Sequence, residues 1–168
     1  MNLGGIGMSN LRAVFYFLLF YLISETVFSR LAVNGIKPDL ILILTVILSF
    51  LYGPPRGAFF GMLGGLVEDL YSGRFVGLNT LVKMITGFLA GVLEGKVYPE
   101  NWWFPGVIVF VLTFIKDFFY VSFLNLLGIK ISLVEAFTGM MPGEAVYNFL
   151  LTPFIYYLFY RTVRGKRP

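Results

Sequence analysis

The amino-acid sequence predicts an all-α integral membrane protein with about six transmembrane helices in one bundle. Hydrophobic residues make up 58% of the 168 residues, charged residues make up 13%, and the mean hydropathy is +0.82. A soluble domain has roughly 45–50% apolar and about 25% charged residues. A soluble fold of this length could not cover so much apolar surface, whereas a bilayer favours an apolar exterior. We therefore predict a single transmembrane domain over residues 1–168.

Turn residues divide the chain into six predicted spans. A hydrocarbon thickness of ~30 Å requires about 20 helical residues, and fewer where a helix is buried within a bundle. The third and fourth spans are short, so a non-spanning role for either stays open. The predicted spans cover residues 11–31, 38–52, 57–71, 78–93, 104–127 and 143–160.

Proline, glycine and asparagine mark the predicted helix ends. Pro38 suits the first turn of the second span, and the Gly-Pro-Pro-Arg sequence at 53–56 is predicted to stop it. Residues 72–74 form the next predicted turn, and Asn79 is a possible N-cap of the fourth span.

A short additional helix is predicted between the fifth and sixth spans. Ser132 and Glu135 have the spacing of a capping box, in which each side chain satisfies a free backbone N–H group. Pro142 is predicted to end or kink this helix, because proline removes a backbone donor.

The distribution of basic residues predicts that both termini face the cytoplasm. In that orientation the inner loops and tails hold seven lysines and arginines, and the outer loops hold four. Cytoplasmic loops of membrane proteins carry the excess of basic residues. The inner set is Arg12, Arg56, Lys96, Arg161, Arg164, Lys166 and Arg167, and the outer set is Arg30, Lys37, Arg74 and Lys130.

Glycines recur at every fourth position in the third and fourth spans, which places each set on one helix face. In lipid the hydrophobic effect does not drive helices together. Helices associate instead through van der Waals contact, which close approach of their backbones across such stripes provides. The stripes predict either packing within the bundle or docking of a partner's transmembrane helix. They are Gly57, Gly61 and Gly65 in the third span and Gly87, Gly91 and Gly95 in the fourth.

Charged residues within the apolar spans are the second signal, since a charge at mid-bilayer costs at least ~2.5–3.5 kcal/mol. We expect these residues to be buried or paired. In the predicted orientation most of them lie in the outer half or the middle of the membrane. They are Glu25, Asp39, Glu68, Asp69, Lys83, Lys116, Asp117 and Glu144.

Glu68 and Asp69 are singled out among these charges. They precede the loop between the third and fourth spans, and Lys83 follows it, so the three side chains could meet at similar depth. Structural pairing is the first interpretation, and a substrate, proton or partner site that opens outward is the alternative. The C-terminal end of a helix disfavours carboxylates, whereas Asp39 suits the first turn of its helix.

Several function classes are excluded by the residues that the sequence lacks. Cys and His are absent, which excludes disulfides, Cys/His metal sites and His-based triads. No HExxH, GxSxG or Walker A motif is present, so we predict no enzyme, no cofactor and no metal. The net charge of +4 is dispersed or collected in the C-terminal tail, which favours membrane lipids over nucleic acid as a partner.

The central third of the chain resembles the rod shape-determining protein MreD family. The resemblance consists of an ordered set of short motifs. These are Lys37-Pro38-Asp39-Leu40, Tyr52-Gly53-Pro54, Gly57, Gly61, Gly64-Gly65, Glu68-Asp69, Gly77-Leu78-Asn79, Gly87 and Gly91. The family's last helix is similar to Tyr147-Asn148, Leu150-Leu151 and Pro153.

The resemblance implies a non-catalytic scaffold of the bacterial cell-elongation (rod) complex in the inner membrane. It implies direct binding to MreC, association with MreB and the peptidoglycan-synthesis enzymes, and a part in cell shape. The family also resembles the substrate-binding subunits of energy-coupling-factor transporters in fold, so a vitamin-binding subunit is the alternative. A vitamin pocket needs more hydrogen-bonding side chains than the Phe- and Leu-rich outer halves supply, which favours the scaffold. A lipid-handling role, motivated by the buried charges, is a third possibility.

Overall fold

The computed structural model describes residues 36–73, 75–96 and 103–164. The chain divides into two compact units, residues 1–37 and 38–168, and every helix described below belongs to the second. The predicted first span, 11–31, and Glu25 within it lie outside the described residues. The helices are α1 (Leu40–Tyr52), α2 (Pro54–Ser72), α3 (Leu78–Gly91), α4 (Phe104–Leu126), α5 (Leu133–Thr138) and α6 (Met140–Arg164).

Helix α1 begins two residues after Pro38 because Asp39 is its N-cap. The Asp39 carboxylate accepts a hydrogen bond of 2.8 Å from the backbone N–H of Leu42. The predicted loop at 53–56 is in fact the single residue Gly53, whose φ of +80° suits glycine. Pro54 and Pro55 then open α2, since the first turn of a helix needs no donors from them.

The start of α3 corrects the predicted N-cap at Asn79. Gly77, with a φ of +104°, is the N-cap, and Asn79 lies in the first turn. The Asn79 side chain instead donates a hydrogen bond of 3.0 Å to Asp69. At its other end, α3 stops at Gly91, two residues before the predicted boundary.

Ser132 is the N-cap of the short helix as predicted, but only its own half of the capping box is formed in the described residues, and Pro142 does not end or kink the helix. The backbone N–H of Glu135 lies 3.4 Å from the Ser132 hydroxyl, and α5 ends at Thr138. Pro142 lies in the first turn of the next helix, α6, where proline is tolerated. Helix α6 then continues through Pro153 to Arg164.

One helix of the described ranges, α4 with 23 residues, is long and apolar enough to cross a membrane. Helices α1 and α3 are apolar but shorter. The described part of the chain is thus all-helical with six helices, and one of them is clearly of spanning length and composition. The six-span count of the sequence analysis stays a prediction.

Helix α1 lies at the centre of this arrangement. Every residue from Leu40 to Phe50 is buried, including the polar Thr45 and Ser49. The helix contacts α2, α3, α4 and α6. Around it, α2 and α3 form one antiparallel pair and α4 and α6 form another.

Candidate functional site

Glycines form the interface between α2 and α3. A Cβ atom built on Gly61 would overlap the backbone of Lys83, and one on Gly65 would overlap the backbone of Asn79. The same holds for Gly57 against Gly87, and each backbone excludes a side chain on the other. The two helices therefore meet backbone to backbone, which is the contact that small residues permit in membrane proteins.

The second glycine stripe is shorter than predicted. Gly91, the last residue of α3, contacts Gly53 and Pro54 at the start of α2. Gly95 lies beyond the helix with a φ of +73°, and a Cβ there would meet no atom of the part of the chain that the structure describes. Gly95 is therefore a turn residue rather than a packing residue, because α3 ends before reaching it.

The carboxylate of Asp69 caps the helix that follows it. Asp69 is fully buried near the end of α2 and accepts five hydrogen bonds. Three come from the backbone N–H groups of Gly77, Asn79 and Thr80, which a helix leaves unpaired in its first turn. The Thr80 hydroxyl adds a bond of 2.6 Å. The Asp69 carboxylate, which is unfavourable at the C-terminal end of α2, thus stabilises the start of α3.

Replacing Asp69 by alanine is expected to lower the free energy of unfolding by about 2 kcal/mol, the upper range for a lost helix cap. The amides of Gly77, Asn79 and Thr80 should exchange with solvent deuterium faster, because they lose their acceptor. Hydrogen–deuterium exchange with mass spectrometry measures this. Ser72→Ala is the control, since the exposed Ser72 hydroxyl only donates to the Asp69 carbonyl oxygen at 3.3 Å. Unchanged exchange in Asp69→Ala would contradict the capping role.

Lys83 connects three helices through two carboxylates. Its side chain is 1% exposed, and its ammonium nitrogen lies 2.6 Å from Asp39 Oδ1 and 2.7 Å from Glu68 Oε1. The predicted meeting of Glu68 and Lys83 is therefore present, whereas Asp69 is bonded to the start of α3 instead. Asp39, which was expected to be buried or paired and to cap its helix, is the second partner of Lys83, although this particular pair was not predicted.

Lys116 of α4 extends the same cluster. It lies 3.1 Å from Asp39 Oδ2, 3.0 Å from the neighbouring Asp117 Oδ1 and 2.5 Å from Glu144 Oε1 of α6. Asp39 therefore accepts hydrogen bonds from both lysines: Lys83 donates to both carboxylate oxygens, and Lys116 donates to Oδ2. We call the whole set the charge cluster, and it consists of Asp39, Glu68, Lys83, Lys116, Asp117 and Glu144.

Neutral polar groups anchor the charge cluster to α6. Asn148 is fully buried, and its side-chain oxygen accepts a hydrogen bond of 2.8 Å from the backbone N–H of Asp39. Its amide nitrogen donates a hydrogen bond of 3.1 Å to the hydroxyl of Thr113 on α4. Asn148 was noted in the sequence only as part of the resemblance. An asparagine more than one turn inside a largely apolar predicted span is the sequence signal that could have identified Asn148, because a buried amide needs hydrogen-bond partners.

The chemistry of this site is electrostatic. In the described ranges, no group of three or more acidic residues is arranged to hold a metal ion. The lysine ammonium groups are each committed to two or more carboxylates, with Lys83 almost wholly enclosed. Such pairs join α1, α2, α3, α4 and α6 at one level of the bundle. The cluster therefore fixes how these helices are arranged.

Comparison with known proteins identifies the family. No curated protein and no solved structure matches the chain. Residues 8–163 match the family described as rod shape-determining protein MreD. That family consists of structural membrane proteins of the cell-shape system. Because the match covers nearly all of the 168 residues, the chain belongs to the MreD family of rod shape-determining proteins.

Proposed function

We propose that this protein is a non-catalytic scaffold of the rod complex that binds MreC directly and helps control cell shape and peptidoglycan synthesis. The observation that carries the proposal is the family match over residues 8–163. MreB and the peptidoglycan-synthesis enzymes are further members of the proposed complex. The protein is proposed to be a multi-pass protein of the bacterial cytoplasmic membrane with both termini in the cytoplasm.

The proposed MreC-binding surface lies on α1 to α3 and their outer loops. A scaffold needs a rigid surface, and the backbone contact between α2 and α3 together with the ion pairs of Lys83 supports rigidity there. The outward side of α2 carries large apolar side chains that a transmembrane partner helix could cover. These are Phe59 at 47% exposure, Leu66 at 38% and Leu70 at 67%.

The test is an affinity pull-down of the tagged protein from its native membranes in mild detergent, with mass spectrometry of proteins and retained small molecules. We expect MreC and rod-complex proteins. An energising ATPase module or a stoichiometric vitamin would overturn the scaffold in favour of the transport alternative.

Replacing Phe59 and Leu66 together by alanine is expected to lower the recovery of MreC about tenfold, because large apolar side chains dominate interfaces. The matched control replaces Val107 and Val111, which are 49% and 50% exposed on α4, by alanine. Quantitative mass spectrometry of the eluates compares the two variants. Equal recovery from both would exclude the α2 surface as the MreC site.

A further inference from the structure

The charge cluster holds more negative than positive groups. It contains four carboxylates, from Asp39, Glu68, Asp117 and Glu144, and two lysine ammonium groups. With every group ionised, the cluster carries an excess of two negative charges. Burying unbalanced charge is costly, so the excess has to be balanced either by protons on the carboxylates or by a cation from outside the cluster.

The excess is concentrated around Lys116. This single ammonium group forms ion pairs with the carboxylates of Asp39, Asp117 and Glu144. Asp117 is only 9% exposed, and while its Oδ1 contacts Lys116, its Oδ2 is buried and has no hydrogen-bond partner among the described residues. A buried carboxylate oxygen without a donor is an unmet acceptor in the cluster.

The two ends of the cluster are open. Lys83 is 1% exposed and the Asp39 side chain 10%, whereas the side chains of Glu68 and Glu144 are each 22% exposed. The Glu68 and Glu144 carboxylates are therefore the acidic groups of the cluster that are most open to a ligand, and Glu144 shares Lys116 with Asp117. An anion or an apolar molecule is excluded by this charge, and a cation is favoured.

We propose that the charge cluster binds a primary ammonium group at its Glu68 and Glu144 ends, supplied by a phosphatidylethanolamine headgroup or by a free amine. An ammonium group brings both the missing positive charge and N–H donors for carboxylate oxygens. Glu68 lies four residues before the end of α2 and Glu144 four residues after the start of α6, about 6 Å from those helix ends, whereas Lys116 and Asp117 lie in the middle of α4. Lipid headgroups lie near the helix ends when a bundle spans a bilayer, so Glu68 and Glu144, the most exposed carboxylates of the cluster, lie near them.

The experiment uses the full chain, without MreC, in nanodiscs of phosphatidylcholine alone or of an equal mixture with phosphatidylethanolamine. The two lipids have the same net charge, but the choline nitrogen carries no N–H donor. We expect the apparent Tm to be about 3 °C higher in the mixture. We also expect phosphatidylethanolamine to remain bound in native mass spectrometry.

Variants separate binding from general effects of the bilayer. The double variant Glu68→Gln with Glu144→Gln should lose both the Tm difference and the retained lipid. It should still fold, because Asp39 continues to pair with Lys83 and Lys116. Glu135→Gln is the matched control, since Glu135 is exposed and lies outside the cluster. Equal Tm values in the two lipid compositions, or a difference that persists in the double variant, would overturn the proposal.

A second arm identifies the source of the ammonium group. In detergent, millimolar ethylamine is compared with tetramethylammonium, which has the same charge and no N–H donor. Stabilisation by ethylamine alone shows that a free amine suffices, and retention of phosphatidylethanolamine without an ethylamine effect assigns the site to the lipid. Equal effects of the two cations together with no retained lipid would overturn the proposal. These experiments do not test the scaffold proposal, because MreC is absent from the samples.

Discussion

Replacing Lys83 by methionine is expected to lower the free energy of unfolding by about 3–5 kcal/mol, the cost of breaking a buried ion pair from one side. Methionine fills a similar volume but supplies no charge and no donor. Glu68 would lose its ammonium partner, and Asp39 would keep only the more distant Lys116. Thermal unfolding in detergent, followed by size-exclusion chromatography of the heated samples, measures the loss.

Two further variants make the Lys83 result specific. Lys130→Met removes a lysine that is exposed after α4, and it should leave the stability within the range of ordinary surface changes. Adding Glu68→Gln to Lys83→Met should recover part of the loss, because one uncompensated buried charge is removed. If Lys83→Met were as stable as Lys130→Met, the ion pairs of Lys83 would not contribute to the free energy of unfolding.

Replacing Gly61 by leucine is expected to cost about 3 kcal/mol, the upper end of the range for an overpacked core. The first side-chain carbon already overlaps the carbonyl group of Lys83, and backbone cannot rotate away as a side chain can. Helices α2 and α3 would have to separate, which would also pull Glu68 from Lys83. The same thermal unfolding assay measures the change.

The control for Gly61→Leu is Ala58→Leu. Ala58 lies on the same helix less than one turn away and is only partly buried, so the added carbons have room. Gly61→Ala should fall between the two, because its single added carbon meets the same backbone. Equal stability of Gly61→Leu and Ala58→Leu would mean that the close approach of α2 and α3 is not required for the fold.

Features that depend on neighbours in the chain were predictable from the sequence. The helix caps at Asp39 and Ser132 each involve residues within one turn of each other. The glycine spacing places Gly57, Gly61 and Gly65 on one face whatever the tertiary fold is. The end of the second span at Tyr52 was predicted correctly. The length of the loop at 53–56 and the role of Pro142 were predicted wrongly for one reason, since a proline that can stop a helix can equally lie in the first turn of one.

Features that depend on distant residues were predicted only in part. The predicted depth of the three residues in the membrane suggested that Glu68, Asp69 and Lys83 meet. However, adjacent residues on a helix point about 100° apart. Only Glu68 therefore faces Lys83, and Asp69 faces the start of α3. Asp39 and Lys116 are separated by 77 residues, so their contact depends on how α4 packs against α1, which no local pattern encodes.

The complete burial of α1 has a consequence for biogenesis. This helix leaves the ribosome before every element that covers it in the described bundle. At about 5–20 residues per second, synthesis of the 77 residues from Asp39 to Lys116 takes roughly 4–15 s. During that interval the Asp39 carboxylate lacks its lysine on α4, and an apolar segment destined for the interior faces lipid or an insertase. Newly made chains should therefore be most vulnerable to membrane proteases before α6 is inserted.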